Sequence, residues 1–168
     1  MAAARADGGT ALDDAARDKL VKSILRRLRW KGPAFVISAI SGNGCDALVQ
    51  AVMDRFGRLD ALVNNASAFY PTPIGAATPA MWDELFASNA RAPFFLAQAA
   101  APHLKASGGA IVNLLDIHAE RPLRQHAVYV MAKAALAAMT RSLALELAPE
   151  VRVNGLALGA ILWPEQGK

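Results

Sequence analysis

AIVNLLD (Ala110–Asp116), VYVMAKAALAAMTRSLALELAP (Val128–Pro149) and VRVNGLA (Val151–Ala157) follow one another along the chain. The first and last are short apolar runs of the kind that form buried strands, and the middle one has helical length and spacing, from about His126 to Leu147. A strand, a long helix and a second strand, with no hairpin turn between them, make a parallel crossover.

Upstream the same alternation continues. Gly108-Gly109 turns the chain into AIVNLLD from a helix that starts at a Thr78 cap with Pro79 in its first turn and runs to Lys105, with a break expected near Arg91-Ala92-Pro93. Before it lies the strand LDALVNN (Leu59–Asn65), and before that a helix over Asp46–Phe56, with Leu48, Val49 and Val52 inward and Gly57 as its stop. AFVISAI (Ala34–Ile40) reads as a further strand, followed by a Ser41–Gly44 turn. Helical periodicity covers Ala11–Trp30 until Gly32-Pro33. The expected fold is α/β: a doubly wound parallel sheet covered by helices on both faces. Ligands of such sheets bind outside the carboxyl ends of the strands. Asn64-Asn65-Ala66, Asp116 and Gly155–Gly159 are therefore the expected rim of a site.

Composition narrows the function classes. The chain has 168 residues, 54% hydrophobic and 19% charged, which excludes a disordered segment and allows one domain with a real core. No apolar run approaches the roughly 18 residues a spanning helix needs, so no membrane segment is expected. Asp7, Asp13, Asp14 and Asp18 argue against a transit peptide and no apolar signal core precedes them, which makes the cytoplasm the expected location. Cys45 is the only cysteine, so neither an internal disulfide nor a cysteine metal site is possible, and a structural thiol is expected. His103, His118 and His126 lack metal-ligand spacing and read as structural or surface residues. Most of the net charge of +4 falls in residues 1–53, on Lys19, Lys22, Arg26, Arg27, Arg29 and Lys31. Leu20, Ile24, Leu25 and Leu28 alternate with these at helical spacing, so a solvated amphipathic helix is expected rather than a nucleic-acid surface.

The chemistry lies in Tyr129 and Lys133, four residues apart and hence on one face of a helix. An ammonium close to a phenol favours phenolate and is expected to lower the tyrosine pKa from about 10. A phenol so tuned moves a proton near neutral pH, as carbonyl or imine reduction requires. Such a pair taken alone is also what a solvated helix surface carries.

Together with LDALVNNAS, FASNARAPFFLAQAA and the strands on either side, this helix resembles the short-chain dehydrogenase/reductase family over about residues 54–168. Ser67 stands where that family has glycine, and Asp116 replaces the serine usually found thirteen residues before the tyrosine. Those departures, with NNASAFYPTP, DIHAERP and AILWPE, are similar to the pteridine reductases. The resemblance implies an incomplete Rossmann-like fold, three-layer αβα, without the first βαβ unit and the closing C-terminal elements. It also implies reduction of a pterin, dihydropterin or folate by NADPH, with possible assembly into a homo-oligomer. Catalytic roles are implied for Asp116, Tyr129, Lys133 and Asn89. Tyr129 would be the proton donor, with Asp116 as a relay, Lys133 on the nicotinamide ribose and Asn89 placing Lys133 through a water. Asn65, Ala66, Ser67, Tyr129, Lys133 and Gly159 would contact cofactor, and Phe69, Asp116 and Tyr129 would contact substrate, with Phe69 stacking on the heterocycle.

Residues 1–53 contain no glycine-rich Thr-Gly-x3-Gly-x-Gly turn. LVKSILRRLRWKGPAFVISAISGNGCDALVQAVM instead resembles the end of an Obg-type GTPase domain, with Ser38-Ala39 at its guanine-contacting motif, although no phosphate loop is present. The expected organisation is a GTPase-tail-like segment, 1–53, joined to a reductase core, 54–168. A catalytically inactive chimera and a GTPase-derived module that contacts ribosome or RNA are the alternative functions.

Overall fold

The computed structural model describes residues 14–29, 31–32, 34–37 and 44–159. Two helices lead, α1 (Asp14–Arg27) and α2 (Cys45–Phe56). Gly57 ends α2 at φ 70°, with its N–H on the Met53 carbonyl, the left-handed cap that glycine adopts without a Cβ penalty. Strand β1 (Ala61–Asn64) follows. Helix α3 (Pro79–Phe86) begins at the Thr78 cap, whose hydroxyl accepts from Met81 N–H at 3.3 Å. The break expected near Arg91 is a π-helical turn, Ala87–Arg91, which passes directly into α4 (Ala92–Ser107). Gly108, at φ 65°, caps α4 and leads to β2 (Ala110–Asp116). A short 3-10 turn (Ile117–Ala119), helix α5 (Ala127–Glu146) and strand β3 (Arg152–Leu158) complete the described chain.

Among the described residues, three parallel strands form one sheet in the order β1-β2-β3, with Asn64 level with Asn113 and Asn113 level with Gly155. Ala34–Ile37 is not strand, contrary to the sequence expectation, and the rest of that run, 38–40, lies outside the described residues. A short apolar run becomes strand only where a neighbouring strand is there to pair with it, and this one is not buried either, Val36 being 47% exposed. Here the run meets the α2 cap: a Cβ on Gly44 would collide with the Val36 carbonyl oxygen.

Val49 of α2, Ala97, Ala100 and Leu104 of α4, Ile111 of β2, Leu143 of α5 and Val153 of β3 share one core cluster. The strand residues of opposite parity are less covered: Val63 is 57% exposed, Leu156 51% and Leu158 42%. Helix α5 is 20 residues long and, contrary to the sequence expectation, apolar enough to cross a membrane by length and composition. It packs on β2 and β3 and buries Tyr129, Lys133 and Thr140 together with Val128, Ala132, Leu136 and Leu143. A second cluster, Ala68, Leu85, Val128 and Tyr129, joins α3 and the loop after β1 to the first turn of α5.

Candidate active site

Asp116 ends β2, and its carboxylate is held from two sides. Oδ1 accepts from His118 N–H at 2.9 Å, and Oδ2 accepts from the Tyr129 hydroxyl at 2.6 Å. Tyr129 lies in the first turn of α5 and is 4% exposed. Lys133, one turn on, is also buried and donates from Nζ to the Leu114 carbonyl at 2.8 Å. The crossover therefore brings a strand end and a helix start together, as parallel sheets do at their carboxyl edge.

The electrostatics differ from the sequence expectation. Burial, then the hydrogen bond and charge of Asp116, push the Tyr129 phenol well above its ordinary range, against a smaller opposing effect of the Ser67 hydroxyl. Lys133 does not lower it. Its Nζ is turned to the Leu114 carbonyl, 5.9 Å from the Tyr129 ring centroid, while the carboxylate touches the hydroxyl. Burial depresses the Lys133 pKa, partly offset by Asp116. The phenol is thus held protonated, the state of a proton donor.

Asn89 is 1% exposed within the π-helical turn. Its Nδ2 donates to the Ala68 and Leu85 carbonyls, both at 2.9 Å, and to Ser88 Oγ at 3.2 Å, while Oδ1 accepts from the Ser67 hydroxyl at 2.6 Å. Asn89 thereby fastens the loop after β1 to the helix, and the ammonium it was expected to place is held by Leu114. Ser67 points into this network. Phe69 is half exposed, meets Tyr129 edge-on at 4.8 Å and stacks on the His126 ring at 4.7 Å and 12°.

Asn65 and Ala66 are exposed at the end of β1 and border a cavity of about 520 Å³ whose other walls include α1 and Ala34–Ile37. Gly159 follows β3, where an added Cβ would come only to ordinary contact, 3.9 Å, with Ile117. The structure thus gathers Asp116, Tyr129, Lys133, Phe69, Ser67 and Asn89, with Asn65 and Ala66 on a neighbouring cavity wall. His126 is the residue that sequence reasoning missed. Its only signal is its place at the N-terminal cap of α5, three residues before Tyr129, whereas its contact comes from a loop more than fifty residues earlier.

A family model described as enoyl-(acyl carrier protein) reductase matches residues 4–167. The chain belongs to the short-chain dehydrogenase/reductase family. The match runs from the first of the two expected segments into the second, and no GTPase relationship is shown for residues 4–53. Pteridine reductase 1 of Leishmania tarentolae is 41% identical over 143 residues, covering 72% of this chain and 50% of that protein. Glucose and ribitol dehydrogenase homolog 2 of Arabidopsis thaliana is 36% identical over 123 residues, covering 73% of this chain and 42% of that protein. The chain therefore spans about half the length of the curated relatives it matches. Among solved structures, a gluconate 5-dehydrogenase from Burkholderia cenocepacia in complex with NADP and tartrate superimposes with TM-score 0.70 at 30% identity, over 84% of this chain and 58% of that one. Acetoin dehydrogenase YohF from Salmonella typhimurium gives TM-score 0.70 at 30% identity, over 93% and 62%.

A nicotinamide cofactor of the kind named in that first structure fits part of this site. An ammonium and a phenol one helical turn apart can hold a ribose diol by hydrogen bonds, and the strand-end positions Asn65, Ala66 and Gly159 are exposed. Of the Ser41–Gly44 turn, 41–43 lie outside the described residues, as do Ser38-Ala39. Among the described residues no glycine-rich phosphate cradle faces the strand ends.

Proposed function

We propose that this short-chain dehydrogenase/reductase carries the proton-transfer and substrate half of a pterin or dihydropterin reductase that uses NADPH. The observation that carries the reading is the 2.6 Å hydrogen bond from the Tyr129 hydroxyl to Asp116, one helical turn from a buried Lys133. The likeness to pteridine reductase 1 and the half-exposed ring of Phe69, suited to a flat heterocycle, support it.

The reduced nicotinamide supplies a hydride to the substrate when bound. The remaining chemistry belongs to this chain. Tyr129 delivers its hydroxyl proton to the substrate atom that gains negative charge. Asp116 accepts the phenol hydrogen bond in the resting site, orients the hydroxyl and, once protonated from solvent, can return a proton to it. Lys133, one helical turn on and held by the Leu114 carbonyl, would keep its ammonium beside the cofactor ribose. Phe69 aligns the ring of the substrate.

Fluorescence titration with NADPH, followed by an assay of dihydrobiopterin reduction, tests the proposal. Saturable binding and turnover are expected, with Y129F reducing turnover about a hundredfold or more and leaving cofactor affinity within a few-fold. No saturable binding up to millimolar NADPH would sink it.

A further inference from the structure

The first turn of α5 is capped from a distance. His126, at the cap position, makes no side-chain cap hydrogen bond, and the residue before it, Gln125, sits at φ +62°. Side chains other than glycine are uncommon there and need support from their surroundings. The support comes from Thr72, which is fully buried at 0% exposure, in the loop after β1. Its hydroxyl oxygen accepts from the Val128 N–H at 3.3 Å, and its own N–H donates to the Gln125 carbonyl at 2.5 Å. Both contacts are reciprocal, as in a capping box, but the partner is 56 residues away in sequence.

The place of this clamp bears on the chemistry. Val128 directly precedes Tyr129, and Thr72 lies three residues beyond Phe69. Val128 and Tyr129 share a buried cluster with Ala68 and Leu85, so the loop and the helix start pack as one unit. Phe69 in turn rests on both His126 and Tyr129. We propose that Thr72 is a positioning residue of the site, a cap supplied by a distant loop of the same chain that holds the Tyr129 hydroxyl against Asp116 and the Phe69 ring against His126. The catalytic part of this inference rests on the reductase reading above; the geometric part does not.

Two substitutions separate this role from simple packing. T72V keeps the branched shape and the backbone N–H but removes the acceptor, whereas T72S keeps the acceptor. Alkaline titration of tyrosine absorbance, with the Y129F signal subtracted, reports Tyr129 without any turnover. In T72V the Tyr129 ionisation is expected to move down towards the ordinary phenol value of about 10, as burial and the Asp116 contact loosen. In T72S it stays where it is in the unaltered protein. With the assay above, T72V should lower kcat about tenfold to a hundredfold while NADPH affinity is retained, and T72S should restore most of kcat. A T72V titration matching the unaltered protein, or a T72S titration displaced as far as that of T72V, overturns the proposal. If T72V does not fold, the T72S titration decides alone: retained supports, displaced overturns. Absence of turnover in the unaltered protein would count against the reductase reading and leave the titration arm to decide the role of Thr72.

Discussion

At the scale of the residue, the site is a phenol between a carboxylate and an ammonium, and their pKa shifts run in opposite directions. The Tyr129 pKa is raised in the folded state above its unfolded value of about 10. The folded state therefore holds this proton more tightly, and the associated stability is complete below pH ~10 and is lost as the pH climbs past it. Thermal melts across pH 9 to 11 (roughly the span on either side of that reference value) should show a falling Tm for the unaltered protein and a shallower fall for Y129F. Equal slopes would remove Tyr129 as the cause. Lys133 has the reverse sign. Its lowered pKa means that the unfolded chain binds the proton more tightly, so its burial penalty is relieved as the pH rises towards ~10.4. K133M, which fills the same space without charge, is expected to keep or raise Tm at neutral pH while abolishing turnover. A large drop in its Tm would show that the bond to the Leu114 carbonyl outweighs desolvation.

At the scale of the element, a buried polar chain fixes α5 against the sheet. Asn64 Nδ2 donates to Asn113 Oδ1 at 2.8 Å, Asn113 Nδ2 donates to Thr140 Oγ1 at 2.9 Å, and Thr140 donates to the Leu136 carbonyl at 2.7 Å. Asn113 is fully buried, so N113A leaves donor and acceptor groups stranded on two elements and should cost about 2–6 kcal/mol, at roughly 1–3 for each unsatisfied group. Urea unfolding measures it; a loss below about 1 kcal/mol would mean that water refills the gap. Much at this scale was legible beforehand. The Thr78 cap, the Gly57 and Gly108 stops, the interruption near Arg91 and the extent of α5 are all local signals of periodicity or backbone freedom. Ala34–Ile37 was misjudged because a strand needs a partner, and composition does not supply one.

At the scale of the whole molecule, the helices α2, α4 and α5 converge on one core while apolar side chains of the opposite sheet parity, Val63, Leu156 and Leu158, stay exposed. Apolar side chains exposed on one sheet face bind hydrophobic dyes and promote association. The purified chain should therefore bind ANS in its native state, and the double substitution L156T/L158T should reduce that signal by about half, since it removes much of this apolar area. An unchanged signal would place the dye elsewhere, for instance in the cavity beside β1.

The sequence by itself determined the α/β alternation from Asp46 onward, most helix limits, the shared helix face of Tyr129 and Lys133, and the place of Asp116 at a strand end. These depend on spacing along the chain, which sets the face of a helix or the end of a strand. The tertiary structure alone decided how those groups act on one another. It turned Lys133 to a carbonyl, set Asp116 on the phenol, tied Asn89 to Ser67 and laid His126 on Phe69. It also placed Thr72 over the start of α5. Each of these depends on distance and burial between segments far apart in sequence, where a few ångströms reverse the direction of a pKa shift and no local pattern records the outcome.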